Sequence, residues 1–336
     1  MLASTADAGD LGPFERLSAL VAEDLVAVNA LIRERMASEH APRIPEITAH
    51  LIEAGGKRLR PILTLAAASM AGYEGGDHVK LAATVEFIHT ATLLHDDVVD
   101  DSTQRRGRPT ANILFDNQSS ILVGDYLFAR AFRLMVETGS LRVLDILSEA
   151  AAVIAEGEVL QLSTANDLTT ERERYERVIR GKTAALFAAA AEVGGVIAGV
   201  PEAQVAALRT YGDALGMGFQ LADDHLDYAG ASGALGKNVG DDFRQGKVTL
   251  PVILAVARGD GAARAFWTRT IVQGRIEDSD LADALRLLRE TDALADTQTA
   301  ARREVARAIA ALDAFAPSVM RTALIDIAEF VVSRSV

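Results

Sequence analysis

The chain has 336 residues, of which 49% are hydrophobic and 24% are charged, so it can bury a sizeable core and is not globally disordered. It contains no cysteine, which excludes disulfides, zinc–thiolate sites, iron–sulfur clusters and cysteine nucleophiles. Its formal net charge of −13 argues against general nucleic-acid binding. Aromatic residues make up only 5% of the chain, so alanine and aliphatic side chains must fill the core, and a sequence rich in alanine favours helices.

Prolines and glycine clusters divide the sequence into helix-length segments in which apolar residues recur at helical spacing. The sequence shows no alternation of period two, no Asn-Gly hairpin signal, no repeat of 20–50 residues and no linker rich in Pro, Ser or Gly. It therefore predicts a single all-α domain over residues 1–336, with about the first dozen residues disordered. The predicted helices include the segments 14–38, 77–100, 112–136, 141–163, 172–199, 202–228 and 297–313.

The stretch over residues 183–200 is the one most similar to a membrane span. Glu192 interrupts it, and alanine and glycine dominate it, whereas a spanning helix needs about 20 predominantly apolar residues. A buried core helix is therefore the better prediction. The N-terminal residues lack a basic segment followed by an apolar one, so we expect no signal peptide and a soluble, cytoplasmic protein.

Basic residues are concentrated in a few short loops of this acidic chain. One such loop places three cations between a glycine pair and a proline suited to a helix start. Surface salt bridges would explain any single loop, but their shared position near acidic clusters predicts polyphosphate recognition. None matches a Walker loop or a GxGxxG turn, so a nucleotide-binding fold is not indicated. The loops are Gly55-Gly56-Lys57-Arg58-Leu59-Arg60-Pro61, Arg105-Arg106-Gly107-Arg108-Pro109, Gly236-Lys237-Asn238 and Gly246-Lys247.

Two aspartate clusters with the same spacing each follow an apolar helical run. The first is Asp96-Asp97-Val98-Val99-Asp100, and the second is Asp223-Asp224-His225-Leu226-Asp227. In a helix, the first and last Asp of each cluster project from nearly the same face, one turn apart. Such carboxylates repel each other unless a cation bridges them, and hard oxygen ligands suit Mg²⁺ together with phosphate oxygens. A solvated acidic helix end would explain one cluster, but two copies favour a paired metal site. His225 is either a ligand or, more ordinarily, a histidine on the helix surface.

As a set, these motifs resemble those of the trans-prenyl diphosphate synthases, and the likeness covers about residues 45–330. The motifs that carry it are GGKRLRP, LLHDDVVDDSTQRRGRPTAN, GKTAALF, GFQLADDHLDY and LGKNVGDDFRQGKVTLP. The resemblance implies a large antiparallel helical bundle around a central cavity, usually homodimeric. It also implies repeated 1′–4 condensation of isopentenyl diphosphate onto an allylic diphosphate, with Mg²⁺ as cofactor and three ions per active site.

Carried onto matching positions, the resemblance assigns a role to each functional residue. Asp96 and Asp100 would hold two metal ions, with Asp97 in support. Asp223 would hold a third ion, aided by Asp224 and Asp227. Thr183 and Gln220 would stabilise the developing allylic cation. The residues expected to contact the allylic diphosphate are Arg105, Lys182, Lys237 and Lys247. Those expected to seat isopentenyl diphosphate are Gly56, Lys57, Arg60, His89 and Arg106.

Product length depends on the residues that precede the first aspartate cluster. Ala91 and Thr92 are small, whereas in the family bulky aromatic residues at these positions block the cavity, so we expect a long product of the octaprenyl to decaprenyl class for a quinone side chain. The alternative is that small residues here merely allow tight helix packing. Phe132 is a candidate floor of the cavity. Glu158 and Gln161 either face the site or form structural hydrogen bonds.

Four other classes of protein compete with this interpretation, and one of them, a purely structural helical bundle, would leave the acidic residues of the two clusters unexplained. A terpene cyclase would not need the second substrate pocket, and a short-chain farnesyl or geranylgeranyl synthase fits poorly with the small residues before the first cluster. A non-catalytic subunit of a heteromeric synthase usually lacks one or both aspartate clusters, and both are intact here. Hydrophobic products imply transient contact with membranes at release.

Overall fold

The computed structural model describes residues 11–38, 40–53, 56–105, 107–229 and 239–333. The predicted disorder of the first dozen residues concerns mainly residues 1–10, which lie outside these ranges. Gly55, Arg106 and Lys237 also lie outside them. The roles predicted for Arg106 and Lys237 therefore stay predictions.

The described part of the chain is predominantly α-helical, which confirms the predicted all-α fold. Its helices and strands, in chain order, are α1 (Pro13–Leu20), α2 (Ala22–Met36), α3 (Arg43–Glu53), α4 (Leu59–Met70), α5 (Asp77–Val99), β1 (Gln104–Arg105), β2 (Arg108–Pro109), α6 (Ala111–Leu114), α7 (Asn117–Val136), α8 (Leu141–Leu162), α9 (Arg172–Ile179), α10 (Ala185–Ala198), α11 (Glu202–Ala229), α12 (Asp241–Arg244), α13 (Leu250–Arg258), α14 (Gly261–Trp267), α15 (Asp280–Glu290), α16 (Ala293–Ala311) and α17 (Val319–Ser333). Short π-helical segments cover Arg180–Ala184 and Thr268–Val272, and a 3₁₀ turn covers Leu312–Ala314.

The predicted helical segments are helical in the structure, with breaks that their periodicity did not show. The first segment breaks at Val21, where φ is −122° and ψ is 21°, and so divides into α1 and α2. The third divides into α6 and α7, because the Asp116 side chain accepts the Ser119 N–H at 2.6 Å and caps a new helix. The fifth contains the π-helical turn between α9 and α10.

A small hairpin was not predicted from the sequence. Strands β1 and β2 pair antiparallel, with Gln104 opposite Pro109 and Arg105 opposite Arg108. Gly107 has a φ of +74°, which glycine adopts without the steric cost that a Cβ brings. Strands of two residues are too short to show alternation, so periodicity cannot reveal them.

The chain divides into two compact units. Unit 1 comprises residues 1–151, 189–209 and 312–327. Its central helix is α5, which packs against α2, α4 and α7. Most of α5 before the aspartate cluster is buried, including Phe87, Ile88 and Leu94. This burial fixes the orientation of the helix that ends in the first aspartate cluster.

Unit 2 comprises residues 152–188, 210–311 and 328–336. Within it, the second part of α11 lies against the segment that follows Lys182. Gly212 allows this approach, since a Cβ at that position would lie 2.2 Å from the carbonyl oxygen of Phe187. The close backbone contact sets the register between the helix of the second aspartate cluster and the GKTAALF segment.

The membrane-like stretch behaves as a core helix. The continuous helical run over Arg172–Ala198 is long and apolar enough to cross a membrane by composition alone, but 72% of its most apolar window is buried. Glu192 is itself buried there, at 9% exposure, and burial raises its pKa above the usual range while Arg209 and Arg142 oppose that shift.

Candidate active site

The first aspartate cluster lies at the C-terminal end of α5, in unit 1. Asp100 closes the helix by donating its N–H to the Asp96 carbonyl at 2.8 Å. Asp96 is half-buried and Asp100 is exposed, whereas Asp97 retains only 1% exposure. The helix thus presents one outward pair of carboxylates and turns the middle one inward, as a 100° step per residue requires.

The inward carboxylate of Asp97 is held by an arginine from the hairpin. Arg105 donates from Nε at 3.0 Å and from Nη2 at 2.8 Å to Asp97 Oδ1. The guanidinium balances the buried charge and fixes β1 against the end of α5. Arg105, predicted to contact the allylic diphosphate, therefore lies at the cluster with its side chain 36% exposed.

The basic loop before α4 lies in the same unit. Arg60 donates from Nη1 to His89 Nε2 at 3.1 Å, so the structure brings together two residues predicted to seat isopentenyl diphosphate. Because a guanidinium only donates, this contact makes His89 Nε2 an acceptor. Lys57 stacks its ammonium over the ring of Phe14, 5.7 Å from the centroid, and Gly56 precedes it in the described chain.

A pocket of about 620 Å³ adjoins these groups in unit 1. It combines charged and polar groups with an apolar wall, which suits a small anion attached to a hydrocarbon. The polar lining residues are His50, Arg58, Glu86, His89, Thr90, Asp97, Arg105 and Thr110, and the apolar ones are Met36, Leu51, Leu93, Pro109 and Ala111.

The three residues connected with product length occupy different environments in unit 1. Ala91 is completely buried in α5. Thr92 is half-buried and donates its hydroxyl to the His89 carbonyl at 2.7 Å. Phe132 lies on α7 with 43% of its surface exposed, and Leu122 and Val136 on the same helix are exposed as well.

The second aspartate cluster lies near the C-terminal end of α11, in unit 2. Asp223 and Asp227 are half-buried and one turn apart, whereas Asp224 retains 3% exposure. The Asp227 carboxylate accepts the N–H of Asp242 at 3.1 Å, and the Asp227 carbonyl accepts the N–H of Gly240 at 2.7 Å. The pattern of an outward pair and an inward middle carboxylate is thus repeated.

His225 is not on the helix surface, contrary to the sequence-based prediction. It is 6% exposed, and its Nδ1 lies 3.1 Å from the carbonyl oxygen of Leu294, at the start of α16. That carbonyl comes from 69 residues further along the chain, so local sequence gave no sign of it. The contact gives His225 a structural role in fixing α11 against α16.

A hydrogen-bonded chain joins the predicted cation-stabilising residues to Asp224. Thr183 donates from Oγ1 to Gln220 Oε1 at 2.9 Å, and Gln220 donates from Nε2 to Asp224 Oδ1 at 2.8 Å. Tyr175 donates its hydroxyl to the other Asp224 oxygen. Burial, aided by nearby Asp242 and Asp223, raises the pKa of Asp224 to about 8, although the two hydrogen bonds act in the opposite direction.

Tyr175 is a site residue that the sequence analysis missed. It is 4% exposed and lies in α9 between charged residues, where an amphipathic surface helix was the natural expectation. Its partner is 49 residues away in the chain. The available signal was its place two helical turns before Lys182, on the same side of the helix.

The π-helical turn Arg180–Ala184 carries Lys182 and Thr183. Such turns insert an extra residue and are frequent at functional sites. Gly181 lets the turn approach α8, because a Cβ there would lie 2.9 Å from Gly157 Cα. Lys182 Nζ donates to Glu158 Oε2 at 2.9 Å, so Glu158 contributes to the site through this lysine.

A pocket of about 840 Å³ in unit 2 is bordered by these groups. Lys182 and Lys247 supply its cations, and Lys247 Nζ lies 3.9 Å from Asp242 Oδ1. Gln161 also lines this pocket. Of the two alternatives predicted for Gln161, the structure therefore favours the one in which it faces the site. The other functional lining residues are Tyr175, Thr183, Gln220, Asp223, Asp224 and Asp242.

The donor set fits a divalent cation that shares its ligands with a substrate. Within the described residues, no three His, Asp or Glu side chains converge as a ready-made cage for a metal. Each cluster instead offers an outward pair of carboxylates at helical spacing, Asp96 with Asp100 and Asp223 with Asp227. Mg²⁺ characteristically binds one or two carboxylates and completes its octahedron with phosphate oxygens and water.

Comparison with known proteins gives consistent matches along the chain. The family model described as Polyprenyl synthetase matches residues 41–288. The octaprenyl diphosphate synthase of Escherichia coli is 45% identical over 320 residues, 95% of this chain and 98% of the relative. A decaprenyl diphosphate synthase structure from Rhodobacter capsulatus is 63% identical with a TM-score of 0.94, covering 96% of this chain and 100% of that one. A polyprenyl synthase from Caulobacter crescentus, complexed with calcium and isoprenyl diphosphate, is 51% identical with a TM-score of 0.91, covering 97% and 99%.

Proposed function

Because this chain belongs to the polyprenyl synthetase family, we propose that it adds isopentenyl diphosphate repeatedly, by Mg²⁺-dependent 1′–4 condensation, to an allylic diphosphate of the farnesyl or geranylgeranyl type. The chain is a prenyltransferase, and its similarity to octaprenyl and decaprenyl diphosphate synthases supports a long-chain product. In each cycle the allylic C1–O bond breaks, the isopentenyl double bond forms the new C–C bond to C1, and a proton passes to the released diphosphate.

The observation that carries this proposal is that each unit contains both an outward pair of carboxylates and basic side chains. In unit 1, the Asp96 and Asp100 pair lies on the same helix as His89, which contacts Arg60. In unit 2, a single pocket contains Asp223 together with Lys182 and Lys247. Diphosphate leaves an allylic carbon only when its growing negative charge is neutralised, so a site for this reaction needs both kinds of group.

The outward carboxylates are the residues that would hold the metal. Bound Mg²⁺ supplies neutralisation of the charge on the departing diphosphate. We propose three Mg²⁺ ions in all, with Asp96 and Asp100 as the ligands in unit 1 and Asp223 and Asp227 as those in unit 2. The similar polyprenyl synthase from Caulobacter crescentus is complexed with calcium, which supports binding of a divalent cation. Asp97 and Asp224 then serve as inward supports.

The chain's own groups bind the diphosphates and shield the reacting carbon. Lys182 and Lys247 provide the positive charge in unit 2, and Arg105 provides it at the first cluster. Because the Thr183 proton points to Gln220, the hydroxyl oxygen keeps its lone pairs for an electron-poor carbon. Holding the two substrates in a reactive orientation supplies much of the remaining rate enhancement.

We propose that small residues before the first cluster permit the long product. Ala91 and Thr92 present little bulk on α5 beneath Asp96. Phe132 stays a candidate floor of the cavity.

Phe132, Leu122 and Val136 are also exposed apolar residues of one helix, α7. Such exposed apolar side chains suit contact with a second copy of the chain, so we propose a homodimer. Sedimentation of the purified protein tests this, and a monomer at micromolar concentration would contradict it.

We further propose that the product becomes a quinone side chain and that the enzyme acts in the cytoplasm, with transient membrane contact at release. A chain of eight to ten isoprene units is strongly hydrophobic, which supports release at a lipid surface. The alternatives are a short-chain synthase with the same chemistry and a non-catalytic subunit of a heteromeric enzyme. The intact aspartate clusters argue against the second alternative.

A product assay tests the proposal. Purified protein would be incubated with Mg²⁺, farnesyl diphosphate and labelled isopentenyl diphosphate, and the products resolved by chain length. We expect a ladder that ends at a long prenyl diphosphate and that disappears with EDTA. A product no longer than geranylgeranyl would contradict the argument from Ala91 and Thr92. The absence of incorporation by folded protein would favour the subunit alternative.

A further inference from the structure

A buried ion pair lies directly behind the basic loop of unit 1. Arg58 forms an ion pair with Glu86 of α5, and the two side chains are only 16% and 10% exposed. The resemblance assigns Lys57 and Arg60 to isopentenyl diphosphate but gives no role to the arginine between them or to Glu86. Removing two opposite charges from water is costly, so stability alone does not account for this pair.

The backbone at Arg58 is held in an unusual conformation. Arg58 is the N-cap of α4 and has φ 51° and ψ 31°, the left-handed region that side chains other than glycine rarely adopt. Such conformations persist where the surroundings fix them, and they concentrate at functional sites. The ion pair with Glu86 anchors the side chain of this residue, and so sets the direction in which the chain enters α4.

Helix α5 contacts the loop at two points on one face. Glu86 binds Arg58, and His89, three residues later, accepts from Arg60 at 3.1 Å. Residues three apart in a helix are neighbours, so α5 offers two adjacent contacts, one for Arg58 at the N-cap of α4 and one for Arg60 in the first turn of α4. Three of these side chains, Arg58, Glu86 and His89, also line the same pocket of unit 1.

We propose that Glu86 is a positioning residue for isopentenyl diphosphate, acting through Arg58 to orient Lys57 and Arg60. Glu86 itself does not touch the substrate; it fixes the loop whose cations do. This inference rests on the proposed function, because it takes the ligand of the loop to be a diphosphate. It adds a residue whose loss selectively weakens one of the two substrates.

The test compares Glu86→Gln with wild type under steady-state turnover. We expect the KM for isopentenyl diphosphate to rise about 10- to 100-fold, by analogy with the loss found when residues that orient the ligands of a metal ion are replaced. The KM for the allylic diphosphate and kcat should stay within about twofold of wild type by the same reasoning. Glu192→Gln is the matched control and should leave the KM for isopentenyl diphosphate unchanged. Glu192 is another buried glutamate of unit 1, and its arginine contact is Arg209, at 3.8 Å, instead of an arginine of the basic loop.

A double variant separates positioning from simple stabilisation. Glu86→Gln alone leaves the buried Arg58 without its carboxylate and should lower the thermal midpoint, whereas Arg58→Met with Glu86→Leu removes both charges and should recover it. We expect the KM for isopentenyl diphosphate to stay high in the double variant, because the loop has still lost its anchor. A KM that returns to the wild-type value would show a purely structural pair and overturn the proposal.

Equilibrium binding separates this inference from the proposed function. Isopentenyl diphosphate would be titrated calorimetrically into the wild type and Glu86→Gln, without an allylic substrate. Weaker binding by the variant supports the proposal, and equal binding overturns it, whether or not turnover is observed. A wild type that binds isopentenyl diphosphate but never turns over would contradict the proposed function alone.

Discussion

The two aspartate clusters have the same spacing and the same outward pair, but they hold their middle carboxylates by different chemistry. Asp97 accepts from the guanidinium of Arg105, which carries a full positive charge. Asp224 accepts from the neutral side chains of Tyr175 and Gln220 and lies near two further carboxylates, and burial raises its pKa to about 8. Among the described residues, the Asp97 carboxylate is therefore paired with a cation, whereas the Asp224 carboxyl group is held by hydrogen bonds from neutral side chains.

This difference shows that a shared motif does not fix the electrostatics of its members. The outward positions, Asp96 with Asp100 and Asp223 with Asp227, follow from helix geometry and are equivalent in both units. The inward positions depend on whatever the rest of each unit places against them. Substitutions at outward positions should thus have similar effects in both clusters, and substitutions of the inward partners should not.

The largest expected effect is the loss of an outward carboxylate. Asp96→Asn and Asp223→Asn should each lower the incorporation of labelled isopentenyl diphosphate by roughly 10²- to 10³-fold, because each removes charge that neutralises the departing diphosphate. Asp145→Asn, an exposed acid on α8, is the control and should keep wild-type activity. If one cluster variant retained more than about a tenth of the activity while the other lost it, the two clusters would not be equivalent.

The next effect concerns the charged partner in the first cluster. Arg105→Met should lower the free energy of unfolding by about 2–3 kcal/mol, below the range for a fully buried pair because the arginine is 36% exposed. Adding Asp97→Asn should recover most of the loss, since it removes the charge left without a partner. Urea unfolding measures both changes. A double variant no more stable than Arg105→Met would contradict charge balance as the reason.

The neutral partner in the second cluster should matter less. Tyr175→Phe keeps the buried ring and removes one hydroxyl, so it should cost about 1 kcal/mol of unfolding free energy, as is typical for one hydrogen bond. It should also reduce kcat, because the chain from Asp224 through Gln220 to Thr183 loses one of its fixed ends. The control is Tyr73→Phe, which removes the hydroxyl of a tyrosine of unit 1 outside the site and should leave kcat at the wild-type value. Equal losses of stability in Tyr175→Phe and Arg105→Met would remove the contrast between the clusters.

The equivalence of the outward pairs could be derived from the sequence, whereas the difference between the inward partners could not. Helical periodicity places residues four apart on one face, so the Asp96 and Asp100 pair follows from spacing alone. Arg105 reaches Asp97 through a hairpin too short for any periodic signal. Tyr175 reaches Asp224 across 49 residues, and such contacts depend on packing that local sequence does not encode.

His225 and the π-helical turn show the same limit. A polar residue next to a helical acidic cluster predicts an exposed side chain, but His225 is buried because the start of α16 offers it a carbonyl oxygen. The turn Arg180–Ala184 inserts a residue into a run whose composition predicts a continuous helix. In both cases tertiary contact outweighs the local preference, and both lie beside functional residues, Asp224 and Lys182.

A third buried carboxylate extends the comparison and gives the smallest expected effect. Glu192 lies in α10, and Arg209 approaches it at 3.8 Å. Within the described ranges, it thus has neither a guanidinium as close as that of Asp97 nor hydrogen bonds like those of Asp224. Burial raises its pKa above the usual 4.5, and the two nearby arginines only partly oppose this. The folded state therefore binds this proton more tightly than the unfolded state, and its contribution to stability falls as the pH rises from 4.5 through the folded-state pKa.

Glu192→Gln removes that penalty, so the variant should have a higher thermal midpoint than wild type at pH 8. The difference should shrink as the pH falls towards 4.5, where the wild-type side chain is protonated in the folded state and resembles the amide. Thermal unfolding of both proteins across this range measures the gap. A gap that stays constant with pH would mean that packing, and not the buried charge, separates the two proteins. A lower midpoint at pH 8 would mean that Arg209 compensates Glu192 as fully as Arg105 compensates Asp97.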